Sequence, residues 1–233
     1  MNGSSTALSD RTTARIIGVL FIIGTAAGAL SWLVMAPIMD APGYLASIAA
    51  HQSQMAAGAL LVLTMGIALS LVPVLFYPVA RRHSEVLATG YIVFRGALEG
   101  FIYIALTFGW LLLIALSTEP AATVAIADAV KAGLGVMSNQ VTAIPFGIGA
   151  VMFGALLYIS KLVPRWLSVW GLIGAALYMA APLARIFGLS LDYLMAPLAL
   201  QEMVLAVWLI AKGFSASAST VTAPVALPQA VTA

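Results

Sequence analysis

Six stretches of this chain are apolar for too long to be surface helices of a water-soluble domain. They cover residues 14–39, 55–77, 86–116, 139–160, 166–187 and 194–212, separated by short polar turns and two longer loops. A helix needs about 20 apolar residues to cross a hydrocarbon core about 30 Å thick, and each run supplies them or nearly so. Composition agrees. The 233 residues are 63% hydrophobic and only 8% charged, against about 25% charged in an ordinary soluble domain. The mean hydropathy is +1.08. A soluble globular enzyme is excluded, and the pattern predicts an all-α, polytopic membrane bundle of six transmembrane helices.

Residues 1–12 are polar and are expected to be disordered, residues 13–213 form the transmembrane domain, and the Ser/Ala/Thr/Val/Pro stretch 214–233 is expected to be a disordered tail. The first run exceeds the 7–15 residues of a signal-peptide core, so it reads as a spanning helix. Loop 40–54 carries Asp40, Pro42, Gly43 and His51. Loop 119–137 places Val124, Ala127 and Val130 at helical spacing opposite Asp128 and Lys131, the pattern of a short amphipathic helix lying at the membrane interface. With the N-terminus inside, the inner segments hold Arg11, Arg15, Arg81, Arg82, Lys161, Arg165 and Lys212; the outer ones hold Lys131, with Arg185 at the outer edge. This asymmetry predicts both termini on the cytoplasmic side of the membrane.

Ionisable side chains inside hydrocarbon are costly and face the bundle interior. The third run carries Tyr91, Arg95, Glu99, Tyr103 and Thr107, each four residues after the last, on one slowly rotating stripe. Arg95 lies ten residues from Glu85 at the inner end of its helix, and Glu202 ten residues from Lys212 at the inner end of the sixth. Both are then about 15 Å deep, near the midplane. The sequence therefore predicts a buried cluster of Arg95, Glu99 and Glu202, with Gln201 beside it and Tyr91 and Tyr103 on the same stripe. One arginine and two carboxylates leave one excess negative charge, so either one carboxyl keeps a proton or a further cation joins. Arg185 stands about 30 Å along the fifth helix. It either reaches outward to water or closes the cluster from above through Glu99. Gln140 is placed with Arg185 on the outer side of the same path. A buried Arg–Glu–Glu network also serves simply to fix helix register.

What is lacking narrows the chemistry. There are no cysteines, and the two histidines, His51 and His83, fall in different loops. That excludes thiolate metal sites and a buried bis-histidine haem. No aspartate lies in a spanning run, and no phosphate-loop, dinucleotide or HExxH pattern occurs. No metal and no cofactor are expected. The net charge of +2 with scattered basic residues speaks against nucleic acid, leaving the lipid bilayer as the expected partner. Small residues recur at Gly24 and Gly28, at Gly58, Gly66 and Ser70, and at Gln140, Ala143, Gly147, Ala150 and Gly154. They let helices approach closely, within the bundle or between copies of the chain.

Several segments together carry a family resemblance: ARIIGVLFIIGTAAG near the start, VLFYPVARR at the first inner turn, FRGALEG around Arg95, PRWLSVWGLIGA at the beginning of the fifth helix and QEMVLAVWLIAKGF in the sixth. In this order and spacing, over about residues 11–214, the chain resembles the DUF4386 family, a bacterial membrane domain of unknown function. The resemblance implies a six-helix membrane protein and brings no activity, substrate or catalytic residue with it. Two kinds of function fit the residues. One is binding or transport of a small polar solute, a lipid headgroup or a proton at the buried cluster. The other is a non-catalytic scaffold of a membrane complex, the cluster being structural. An enzyme fits least, because no nucleophile, metal ligand set or cofactor motif accompanies the two glutamates.

Overall fold

The computed structural model describes residues 9–119 and 124–215. Among them are seven helices: α1 (Asp10–Met39), a short α2 (Tyr44–Ala50), α3 (Gln52–Ala80), α4 (Glu85–Thr118), α5 (Val124–Ser160), α6 (Arg165–Ile186) and α7 (Asp192–Ala211). All but α2 are long and apolar enough to cross a membrane, which matches the six runs read from hydropathy.

The differences lie at boundaries. Ser9 accepts a hydrogen bond from the Thr12 amide at 3.2 Å and caps α1, so the helix starts at Asp10 and takes residues 10–12 out of the expected disordered segment. Residues 1–8 and 216–233 lie outside the described residues. Loop 40–54 folds in part into α2. The amphipathic segment of 119–137 is not a separate interfacial helix. It runs from Val124 through a π-helical stretch, Met137–Val141, straight into the fourth span, making one helix of 37 residues. At 1.5 Å per residue it is about 55 Å long, far more than the hydrocarbon core, so its first turns stand clear of the span.

Each spanning helix packs on its sequence neighbours, and α7 returns to pack on α1, closing a ring in chain order. The two ends of the described residues therefore lie together. Arg15 Nε donates to the Ile210 carbonyl at 3.3 Å, and Arg82, in the turn after α3, pairs with Asp10 at 3.1 Å. This basic end carries seven of the ten lysines and arginines. His83 sits in the same turn, where partial burial and then the neighbouring Arg82 charge hold its imidazole below the ordinary range. Within the ring just beyond it lies an aromatic layer, with Tyr91 stacked on Phe153 at 4.9 Å and Phe76 edge-on to Phe153 at 5.2 Å. Phe21 and Phe214 complete it. This layer stands between the buried cluster and the basic end.

The small residues serve the bundle's own seams. Gly24 faces Leu69 and Gly28 faces Met65 across α1–α3, and Gly147 and Gly154 face Met179 and Leu172 across α5–α6.

Candidate functional site

The site begins with a backbone feature. Residues Ile92–Leu98 of α4 are π-helical, with Glu99 N–H donating to the carbonyl of Phe94, five residues back. In an α-helix a step of four overshoots a full turn by about 40°, so a stripe at that spacing drifts around the helix. A π-turn holds more residues, so the same step falls short of a turn and the drift is reversed. The consequence is that Tyr91, Arg95, Glu99, Tyr103 and Thr107 are all buried.

Arg95 is 2% exposed and Glu99 0%. Arg95 Nη1 lies 3.3 Å from Glu99 Oε2, and Nη2 donates to Glu202 Oε1 at 3.3 Å. The guanidinium also covers the Phe146 ring, with Cζ 4.4 Å from its centroid. Such a stack suits a planar cation that cannot be fully solvated. The Tyr103 hydroxyl donates to Glu99 Oε1 at 2.9 Å, and Thr107 Oγ1 donates to the Tyr103 carbonyl at 2.8 Å. Glu202 keeps 18% of its side chain exposed. One guanidinium thus bridges two carboxylates on opposite sides of the ring, from α4 and α7.

Close backbone approach makes this possible. At Gly149 of α5 a Cβ would stand 3.1 Å from Arg95 Cβ and 3.3 Å from its amide nitrogen. At Gly171 of α6 it would stand 3.0 Å from Gln201 Nε2. That amide group donates to the Leu167 carbonyl at 3.1 Å, which fixes Gln201 beside Glu202.

The structure brings Arg95, Glu99, Glu202, Tyr91, Tyr103 and Gln201 into one region. It does not bring Gln140 and Arg185 there. Arg185 pairs with Asp192 across the α6–α7 turn, and it lines with Gln140 an apolar groove of about 660 Å³ between α5 and α6. Arg185 therefore does not close the cluster through Glu99, because an aspartate seven residues on offers an ion pair at far smaller desolvation cost.

Above the cluster, at the end opposite the basic one, is a vestibule of about 450 Å³. Tyr103 and Tyr178 line it where it meets the cluster, and Trp32, Trp110, Asn139 and Thr142 are among its other walls. Tyr178 also contacts Phe146, ring to ring at 4.4 Å. Lys131, at the rim, donates to the Met39 carbonyl at 2.8 Å and lies over the Tyr44 ring at 4.3 Å. The Tyr44 hydroxyl donates to Asp128 at 2.7 Å. Burial, then the hydrogen bond to Asp128 and its charge, push that phenol up to about 12.

Phe146 and Ser168 were not singled out by the sequence reading. A phenylalanine in an apolar run carries no signal, whereas Ser168, one turn before Gly171 on the face that meets Gln201, did offer one.

No curated protein and no solved structure gives a significant match to the chain. The family model for a domain of unknown function, DUF4386, matches residues 16–213, a stretch that holds most of the first span, the other five whole, Arg95, Glu99 and Glu202. The chain belongs to the DUF4386 family.

Proposed function

We propose that the protein binds a small polar solute in the vestibule and that the Arg95–Glu99–Glu202 cluster holds one exchangeable proton beneath it. The observation that carries this reading is the double position of Tyr103. Its side chain is part of the vestibule wall, and its hydroxyl is hydrogen-bonded to the fully buried Glu99. A change in the vestibule is thereby transmitted to a carboxyl that shares a single guanidinium with a second one. Charge balance supports the proton: one cation shared by the fully buried Glu99 and the partly exposed Glu202 is neutral only if one carboxyl is protonated. Solute stops at the tyrosines, since Arg95 and Glu99 are sealed below them. By the distribution of basic residues, both termini lie in the cytoplasm of a bacterial cell and the vestibule opens outward.

The test is infrared spectroscopy of the protein in lipid, as difference spectra between acidic and alkaline buffer. The expected result is a protonated carboxyl band that disappears in Glu99→Gln or Glu202→Gln and shifts in Tyr103→Phe. The scaffold reading draws support from the sealing of the cluster, while the glycine seams filled within the bundle and the vestibule count against it. It expects no band of Glu99 or Glu202 that changes between the two buffers, and that outcome replaces the first reading with the second.

A further inference from the structure

A second, much smaller cavity lies on the other side of Arg95, toward the basic end. Its volume is about 10 Å³, and Tyr91, Arg95, Ser168, Gln201 and Glu202 are among the residues around it. That volume is what a single water occupies by the same measure, about 10–15 Å³. Two of these residues carry polar atoms that no protein group satisfies. Ser168 is 0% exposed, and its Oγ has no hydrogen-bond partner within the protein; nor does Arg95 Nε. A serine inside a helix ordinarily turns its hydroxyl back onto the carbonyl four residues before it. Here that carbonyl, of Pro164, already accepts from the amides of Leu167 at 3.0 Å and Ser168 at 3.4 Å. Buried hydroxyls and guanidinium N–H groups are nearly always partnered, and a cavity of this size, otherwise apolar but bordered by the residues of an unpartnered donor and an unpartnered donor–acceptor, calls for a molecule that is both.

We propose that this cavity binds one water molecule, held by Ser168 and Arg95, and that this water connects Glu202 to the basic end of the bundle. The cluster is then addressed from two sides. Glu99 meets the vestibule through Tyr103, and Glu202 meets the basic end through the water and Ser168, which lies one turn inside the start of α6. A proton leaving the Glu202 carboxyl passes to the water, which gives one of its own to Ser168 Oγ, while the Ser168 hydroxyl releases its proton to a solvent water that reaches it when the start of α6 opens. The carboxylate left behind stays paired with Arg95. Arg95, permanently charged, separates the two routes. The connecting role rests on the reading of the cluster as proton-holding; the water site does not.

Two measurements decide it. The first is a high-resolution structure in lipid. It is expected to show water density within hydrogen-bond distance of both Ser168 Oγ and Arg95 Nε. A Ser168 hydroxyl bonded to a backbone carbonyl, with no density beside it, overturns the water site. The second is the rate of hydrogen–deuterium exchange of the protonated carboxyl band. Tyr103→Phe cuts the vestibule route, and Ser168→Val fills the cavity with methyl groups. Tyr103→Phe alone is expected to keep a fast exchange phase, which Ser168→Val added to it abolishes. Fast exchange retained in a folded double variant overturns the connection. Should that double variant not fold, Ser168→Ala in the Tyr103→Phe background removes only the hydroxyl and is read the same way. A wild-type protein with no protonated carboxyl overturns the connection together with the reading of the previous section, while the density still decides the water.

Discussion

Tyr103 and Glu99 stand one turn apart on α4 and are joined by a 2.9 Å hydrogen bond, with the vestibule on one side of the pair and the sealed guanidinium of Arg95 on the other. The pair marks the boundary between the space that solvent enters and the space that it does not.

Removing Arg95 leaves the fully buried Glu99 and the partly exposed Glu202 without their shared cation. Arg95→Ala is expected to destabilise the protein by about 3–5 kcal/mol, the usual cost of breaking a buried ion pair from one side. The triple substitution Arg95→Met, Glu99→Leu, Glu202→Leu removes the charges together and is expected to recover most of that loss. Thermal unfolding in detergent checks both, and a triple variant as unstable as the single one contradicts the expectation.

Gly149 is the contact point of α5 with the Arg95 backbone. An alanine Cβ there meets Arg95 at 3.1–3.3 Å, tighter than ordinary packing, and valine adds two methyl groups to the same place. Gly149→Val is expected to push α4 and α5 apart and cost about 1–3 kcal/mol, as overpacking generally does. Gly133, with nothing within 4 Å of its Cβ position, should accept the same change with little effect on melting temperature.

The chain has no cysteine, so single thiols report cleanly. Ser138→Cys, in the vestibule wall, is expected to react with a membrane-impermeant thiol reagent applied outside intact cells. Ser168→Cys, fully buried, is expected not to react. Protection of the thiol at 138, with labelling only after lysis, would reverse the orientation read from the basic residues.

The rim latch has a pH signature. Tyr44 titrates higher in the folded protein, at about 12 against an ordinary 10.0, so folding favours its protonated form. The contribution of its contact with Asp128 is complete below pH 10.0 and is lost as pH rises toward about 12. Tyrosinate absorbance should show one late-titrating tyrosine fewer in Tyr44→Phe. In Asp128→Asn that tyrosine should titrate earlier.

The spans were legible because a membrane sets a length that hydropathy alone reveals. Arg95, Glu99 and Tyr103 were legible from their four-residue spacing, and Glu202 from depth counted along its helix. The π-turns were not, because no side-chain pattern marks an extra residue in a turn. That explains Gln140. It lies inside Met137–Val141, so a seven-residue repeat extrapolated back from Gly154 and Gly147 loses phase there. Arg185 is placed by height and by the helical face it shares with Gly171 and Tyr178, and neither tells which of two acidic partners is nearer. The vestibule was invisible in the sequence because its walls come from five helices, each contributing ordinary residues.

Because α7 lies against α1, the chain order is one cut through a closed circle of helices. Joining the residues after Ala211 to those before Asp10 with a short linker and reopening the circle at the Arg81–Ser84 turn gives a circular permutant whose new ends emerge on the same basic side. Every helix keeps its direction across the bilayer in that permutant, and every contact to Arg95 survives, so the order in which spans are inserted can be varied independently of the architecture they build.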